Sequence, residues 1–237
     1  MKGLRSMPFD RFVRWLALVT GAGLLIAASP AAHHVANRTS MVTLTPEGTH
    51  LLGDPAAKLR LTEYISYTCP HCAHFHEESD ATLRTTFMAT GKGSIEIFPY
   101  VRNPIDMAAA LLVECGGPTH FVRLHDTFLN TQTQWMAKLA TTSDAQHQRW
   151  ENGPMGGRMR AMASDLGFYQ IMENNGFDRA QADRCLTDEA AMKRLAAQTQ
   201  AATTAGVEAT PSFAINGVIL TGTYDWLMLA PQLQARL

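Results

Sequence analysis

The sequence predicts an α/β fold interrupted by an all-helical insertion. Three observations carry this. β-forming runs bounded by turn signals occur early in the chain and again near its end. Between them, about 90 residues read as helix after helix. A Cys-x-x-Cys pair, Cys69 and Cys72, stands where a run of β-formers gives way to the first helix.

Composition narrows the class. With 237 residues, 46% apolar and 17% charged, the chain can bury a substantial core without staples, and disorder, collagen-like repeats and coiled coil are excluded. The formal charge of −1 conceals an asymmetry. Residues 1–32 carry Lys2, Arg5, Arg11 and Arg14 against Asp10, a net +3, which leaves −4 on the remainder. That mild acidity gives no electrostatic reason to expect a nucleic-acid partner. The four basic residues precede an apolar stretch, Trp15 to Ala28, and then Ser29-Pro30-Ala31-Ala32. A basic start, a short apolar segment and small residues make a secretory signal peptide, expected over residues 1–31 with cleavage after Ala31. The apolar stretch is shorter than the roughly 20 residues that cross a bilayer, although an uncleaved anchor is the alternative. Either way the remainder is expected to be exported, to an oxidising environment where disulfides persist.

The elements follow in order. Residues 32–40 are polar and read as a linker. Met41 to Thr45 and Leu59 to Ser66 carry strand signals, with Gly53-Asp54-Pro55 between them as a turn. Cys69 to Thr90 reads as a helix, with Pro70 in the first turn and Gly91 just past the end. Gly93 to Val101 is a third strand. The insertion, residues 104–196, opens with Pro104 to Cys115 and Phe121 to Leu129. Asn152-Gly153-Pro154 and Gly156-Gly157 break the run, which resumes near Met159 to Leu166, Tyr169 to Glu173 and Arg179 to Leu186. A helix over Glu189 to Ala205 leads back to β signals at Ser212 to Ile215 and Val218 to Leu220, joined by Asn216-Gly217, a pair that favours a type I′ turn. Tyr224 to Leu237 is a closing amphipathic helix. Residues 41–103 and 197–237 thus make one α/β domain around the insertion.

Cys69-Pro70-His71-Cys72 is the strongest chemical signal. A helix N-terminus has unpaired N–H groups and a partial positive charge, so it stabilises a thiolate at Cys69, and His71 can add charge or a hydrogen bond. Stabilising the reduced thiolate makes the disulfide a stronger oxidant. Cys69 is therefore expected to be the exposed, attacked sulfur and Cys72 the buried partner. Glu63 lies six residues earlier on the strand expected at the sheet centre. There it is either a partly buried acid with a raised pKa, placed to exchange protons with Cys72, or a solvated strand residue.

The run Glu63-Tyr64-Ile65-Ser66-Tyr67-Thr68-Cys69-Pro70-His71-Cys72 resembles the active-site strand and helix of DsbA-type thiol:disulfide oxidoreductases. Gly206 to Gly217, with Thr210-Pro211 at its centre, resembles the cis-proline loop and hairpin of the same family. The resemblance implies a thioredoxin-like fold with a helical insertion, and oxidation of dithiols in unfolded or reduced exported proteins. It also implies a monomer without cofactor or metal, and a membrane redox partner of the DsbB type. It makes Glu63 the buried proton acceptor, His71 and Pro70 determinants of an oxidising potential, and Pro211 a cis residue that leaves Thr210 free to pair with substrate. Thr210 matches the threonine of disulfide isomerases, which makes isomerase or reductase work the alternative activity.

Cys115 and Cys185 lie in separate helices of the insertion. In an exported protein a structural bridge between them is expected, and alphaproteobacterial members of the family look similar in carrying one. A metal site on Cys69, Cys72, His74 and His76, as in a metal-binding thioredoxin-fold chaperone, is the non-enzyme rival. Against it, His74 and His76 are two apart on a helix and point apart, so both are expected on the solvated surface. Tyr67 and Thr68 are candidates for substrate contact or strand packing. Trp135 and Trp150 are expected to be buried between helices, and Phe75, Phe87, Met88, Phe98 and Phe213 are core candidates.

Overall fold

The computed structural model describes residues 38–237. The expected signal peptide and residues 32–37 of the expected linker lie outside the described residues, while residues 38–40 of that linker are helical.

Six strands form one sheet: β1 (Val42–Leu44), β2 (His50–Gly53), β3 (Leu59–Ile65), β4 (Gly93–Pro99), β5 (Ser212–Ile215) and β6 (Val218–Ile219), in the order β1-β2-β4-β3-β5-β6. β3 runs parallel to β4 and antiparallel to β5, so Glu63 sits opposite Ile97 on one side and Phe213 on the other. Helix α1 (Pro70–Thr82) is the crossover between the two parallel strands. β3 is buried along nearly its whole length, as a strand covered on both faces must be.

Strand β2 is a correction to the sequence reading, which placed only a turn between the first two strands. Its four residues, His-Leu-Leu-Gly, are too few to show alternation, and they become a strand by pairing between β1 and β4. The helix expected through Thr90 also differs: α1 ends at Thr82 and continues as a π-helical segment, Leu83–Met88. There the hydroxyls of Thr85 and Thr86 donate to the carbonyls of Ala81 and Thr82, at 2.7 and 2.6 Å, where the backbone shifts from the α to the π pattern. Phe87 from this segment lies against Gly93, where any Cβ would run into its ring.

The insertion contains α2 (Pro104–Val113), a 3₁₀ turn (Glu114–Gly116), α3 (Pro118–Asn130), α4 (Gln132–Ala137), α5 (Asp144–Glu151), α6 (Met155–Leu166), α7 (Phe168–Asn174) and α8 (Arg179–Leu186). Helix α9 (Glu189–Thr204) returns the chain to β5, and α10 (Trp226–Gln234) closes it. Gly156 and Gly157 do not break the chain as expected but lie in the first turn of α6. A glycine there costs up to about 1 kcal/mol, and Gly156 is offset by close packing on Thr187, which a Cβ would obstruct.

One apolar core runs through sheet and insertion, from Phe75, Phe87 and Phe213 to Phe121, Phe128, Trp135 and Phe168. α2, buried from Ala108 to Val113, is its axis. Trp135 and Trp150 are both buried, with indole N–H donors satisfied by the Phe128 carbonyl at 3.1 Å and by Asp165 at 2.8 Å.

A disulfide joins Cys115, in the 3₁₀ turn after α2, to Cys185 in α8, with Cα atoms 5.5 Å apart. It closes a loop 70 residues long. By the chain-entropy argument, Cys115→Ser with Cys185→Ser is expected to lower stability by about 4 kcal/mol. Denaturant unfolding of the double variant checks this, and an unchanged midpoint would contradict it.

Candidate active site

The site begins where β3 ends. Ser66, Tyr67 and Thr68 turn the chain, and Cys69 becomes the N-cap of α1 in an extended conformation, with Pro70 opening the helix. Cys69 makes no capping side-chain hydrogen bond, and its position at the N-cap puts its sulfur at the positive end of the α1 dipole.

Both thiols are buried, which corrects the expectation of an exposed Cys69. That residue keeps 2% of its surface and Cys72 none. The cause is the loop before β5: the Thr210–Pro211 peptide is cis, and Cys69 Sγ lies 3.1 Å from the Thr210 carbonyl, to which the thiol donates. Thr210 Oγ is buried without a hydrogen-bond partner.

The two sulfurs are electrostatically unlike. A hydrogen bond from the Cys72 thiol, helped by Thr210 and the backbone N–H groups of Cys72 and His71, outweighs burial and pulls the Cys69 pKa down from 9.0 to about 4. Burial, then the hydrogen bond to Cys69 and its charge, pushes Cys72 far above an ordinary thiol. His71 thus contributes through its backbone, and its residue is exposed.

Glu63 lies in the middle of β3, is buried, and has a carboxylate oxygen without a hydrogen-bond partner. Burial, with a smaller push from Asp80, raises its pKa from 4.5 to about 8. Its charge also raises the Cys72 pKa, so the two groups are electrostatically coupled.

The insertion supplies residues that the sequence reading missed. Asp106, at the start of α2, accepts from the backbone N–H of Tyr67 at 2.7 Å and of Arg102 at 2.9 Å. Asn103 caps α2 by accepting from Asp106 N–H at 2.9 Å, and donates to Thr68 Oγ1 at 2.9 Å. The Asn-Pro-x-Asp pattern was readable as a helix cap but not as an anchor for a turn in another domain. Gln132 carried no local signal. Buried at the start of α4, it donates from Nε2 to the carbonyls of Tyr67 at 2.7 Å and Cys69 at 2.9 Å. Gln132→Leu leaves both carbonyls one bond short, a cost of about 2 kcal/mol. The Cys72 and Ala73 amides, which donate to the Cys69 carbonyl, are expected to exchange faster with solvent. Unchanged protection would show that Gln132 does not hold the turn.

Other candidates separate. Tyr67 is core: it is buried, with its hydroxyl 3.0 Å from His125 Nδ1 and its ring edge-on to Phe128. Thr68, buried, belongs to the Asn103 network. His74 is exposed and pairs with Glu78 at 3.3 Å. His76 is not on the surface as expected but buried against α3, 3.6 Å from Asp126. One helical turn beyond Cys72, it points at the insertion, whose position local sequence does not reveal. Cys69, Cys72, His74 and His76 therefore do not converge on a common point.

The profile of the family described as Thioredoxin matches residues 45–234. The crystal structure of a protein-disulfide isomerase from Novosphingobium aromaticivorans is 51% identical, superposes with a TM-score of 0.77, and covers 80% of this chain and 97% of its own. Wolbachia pipientis alpha-DsbA1 is 21% identical with a TM-score of 0.64, covering 81% of this chain and 92% of its own, and shares the fold. A curated Rickettsia bellii protein, provisionally named a protein-disulfide oxidoreductase, is 27% identical over 174 residues. That match spans 73% of this chain but only 58% of the relative's length.

Proposed function

Because this chain belongs to the thioredoxin family, we propose that it is a protein thiol:disulfide oxidoreductase that forms disulfides in reduced, exported proteins. The opposed shifts of the two active-site thiols carry this reading. A substrate thiolate attacks Cys69 Sγ of the Cys69–Cys72 disulfide. The bond between the two cysteines breaks, and Cys72 leaves with the electron pair. Cys72 needs a proton at once, and Glu63, still protonated at neutral pH, is the nearby acid to supply it. A second substrate thiolate then attacks the substrate sulfur of the mixed disulfide, and Cys69 leaves as a stabilised thiolate. The substrate loses two electrons and the protein gains them.

The backbone of Thr210 borders the attacked sulfur and is the edge along which an extended substrate segment pairs. Reoxidation falls to a membrane partner of the DsbB type, as the motif resemblance implies. No helix among the described residues is long and apolar enough to cross a membrane. The periplasm, entered by way of the leader, is the compartment this reading requires, and the protein acts there as a monomer.

The test is stoichiometric: the disulfide form is mixed with a reduced, unfolded protein, and one substrate disulfide is expected per Cys69–Cys72 pair. Cys69→Ser is expected to oxidise nothing, and activity retained in that variant would refute the mechanism. Disulfide isomerisation is a second reading, supported by Thr210 and by the name of the Novosphingobium aromaticivorans relative. Rescue of a scrambled substrate by the reduced form, without an added oxidant, would favour it.

A further inference from the structure

The active-site helix carries a second cluster of polar groups, which the disulfide chemistry does not use. His76 on α1 faces His125 and Asp126, adjacent residues on α3, and one donor atom from each of the three lies within 4.8 Å of the others. Both histidines are buried and Asp126 is half-buried.

More than proximity marks this cluster. His125 Nδ1 is held by the Tyr67 hydroxyl at 3.0 Å, which fixes the ring and leaves Nε2 for another partner. Asp126 Oδ1 faces His76 Nε2 at 3.6 Å and is held by Arg84 at 2.7 Å, and Arg84 is held in turn by Asp80 at 2.6 Å. Outer partners that orient imidazole and carboxylate ligands are what a metal site requires. Arg84 does not make the locality cationic, because Asp80 and Asp126 against Arg84 sum to −1 when both histidines are neutral. A cleft of about 670 Å³, lined by Arg84, Arg123 and Asp126 among others, opens on the Asp126 side of the cluster.

We propose that His76, His125 and Asp126 form a binding site for a borderline divalent cation, zinc first. Two imidazoles and one carboxylate suit zinc, whereas calcium and magnesium require oxygen-rich sites. The bound cation would tie α1 to α3 one turn beyond Cys72, stabilising the folded protein in proportion to its occupancy.

The thiols are also zinc ligands, so the test uses the disulfide form of the full chain, stripped of metal and titrated with zinc alone. One equivalent is expected to bind. Cys69→Ser with Cys72→Ser is expected to bind as tightly, and His76→Ala with His125→Ala not at all. Tyr67→Phe is expected to bind about 10- to 100-fold more weakly. Should the double histidine variant fail to fold, Asp126→Asn at a partly exposed position replaces it, again with binding greatly weakened. Cobalt in place of zinc should give a spectrum of nitrogen and oxygen ligation without thiolate charge transfer. The proposal is overturned if the disulfide form binds no zinc saturably, if binding survives the histidine or Asp126 changes, or if it disappears with the cysteines.

Discussion

At pH 7 the reduced protein is expected to be more stable than its disulfide form. The folded state holds Cys69 as a thiolate down to about pH 4, whereas the unfolded thiol ionises near 9.0. A depressed pKa contributes stability that is fully present above the unfolded value and lost as pH falls to the folded one. At pH 7 the unfolded thiol is still protonated, so the contribution is on the order of 4 kcal/mol. The disulfide form has no such group. Its deficit relative to the reduced form should therefore shrink by about 1.4 kcal/mol for each pH unit between 7 and 4. Unfolding both forms with denaturant across that range checks this, and a gap independent of pH would contradict the thiolate account. The same free energy drives the redox chemistry, because whatever stabilises the dithiol state makes the disulfide more oxidising.

Glu63→Gln is expected to stabilise the protein at pH 7 while slowing its reaction. The folded protein holds the Glu63 proton up to about pH 8, while the unfolded chain releases it near 4.5. A raised pKa therefore costs stability progressively as pH rises between those values, on the order of 3 kcal/mol by pH 7. Glutamine removes that cost, so the gain should be largest at pH 8 and above and vanish below pH 4.5. Without the acid, Cys72 must take its proton from water, and attack on the Cys69–Cys72 disulfide should slow by about 100-fold at pH 7. Stopped-flow kinetics of the variant with a reduced peptide reads this directly. A variant that is stabilised yet equally fast would leave Glu63 buried but idle. One that is destabilised at pH 8 would contradict the burial account itself.

What the sequence revealed and what it hid divide by range. Cys69-Pro70-His71-Cys72 was legible because a helix N-terminus is a local feature, marked by Pro70 and the preceding strand. Glu63 was legible as the acid of a central strand, and the structure buries it there. The same local logic read Asn216-Gly217, whose φ values of 50° and 81° are those of a type I′ turn. Non-local features stayed hidden. β2 exists through its partners, and the burial of Cys69 comes from Thr210, 141 residues away. Asp106 and Gln132 hold the active-site turn from helices whose placement depends on the whole core. His76 reads as a surface residue on an isolated helix, and only α3 packing over it makes it buried.

The central claim, that the fold poises Cys69–Cys72 to accept electrons from protein dithiols, is tested most directly by its reduction potential in glutathione buffers. A thiolate stabilised this strongly predicts a potential less negative than about −200 mV, toward the roughly −120 mV of strongly oxidising thioredoxin-fold proteins. A value near the roughly −270 mV of thioredoxin would contradict the account.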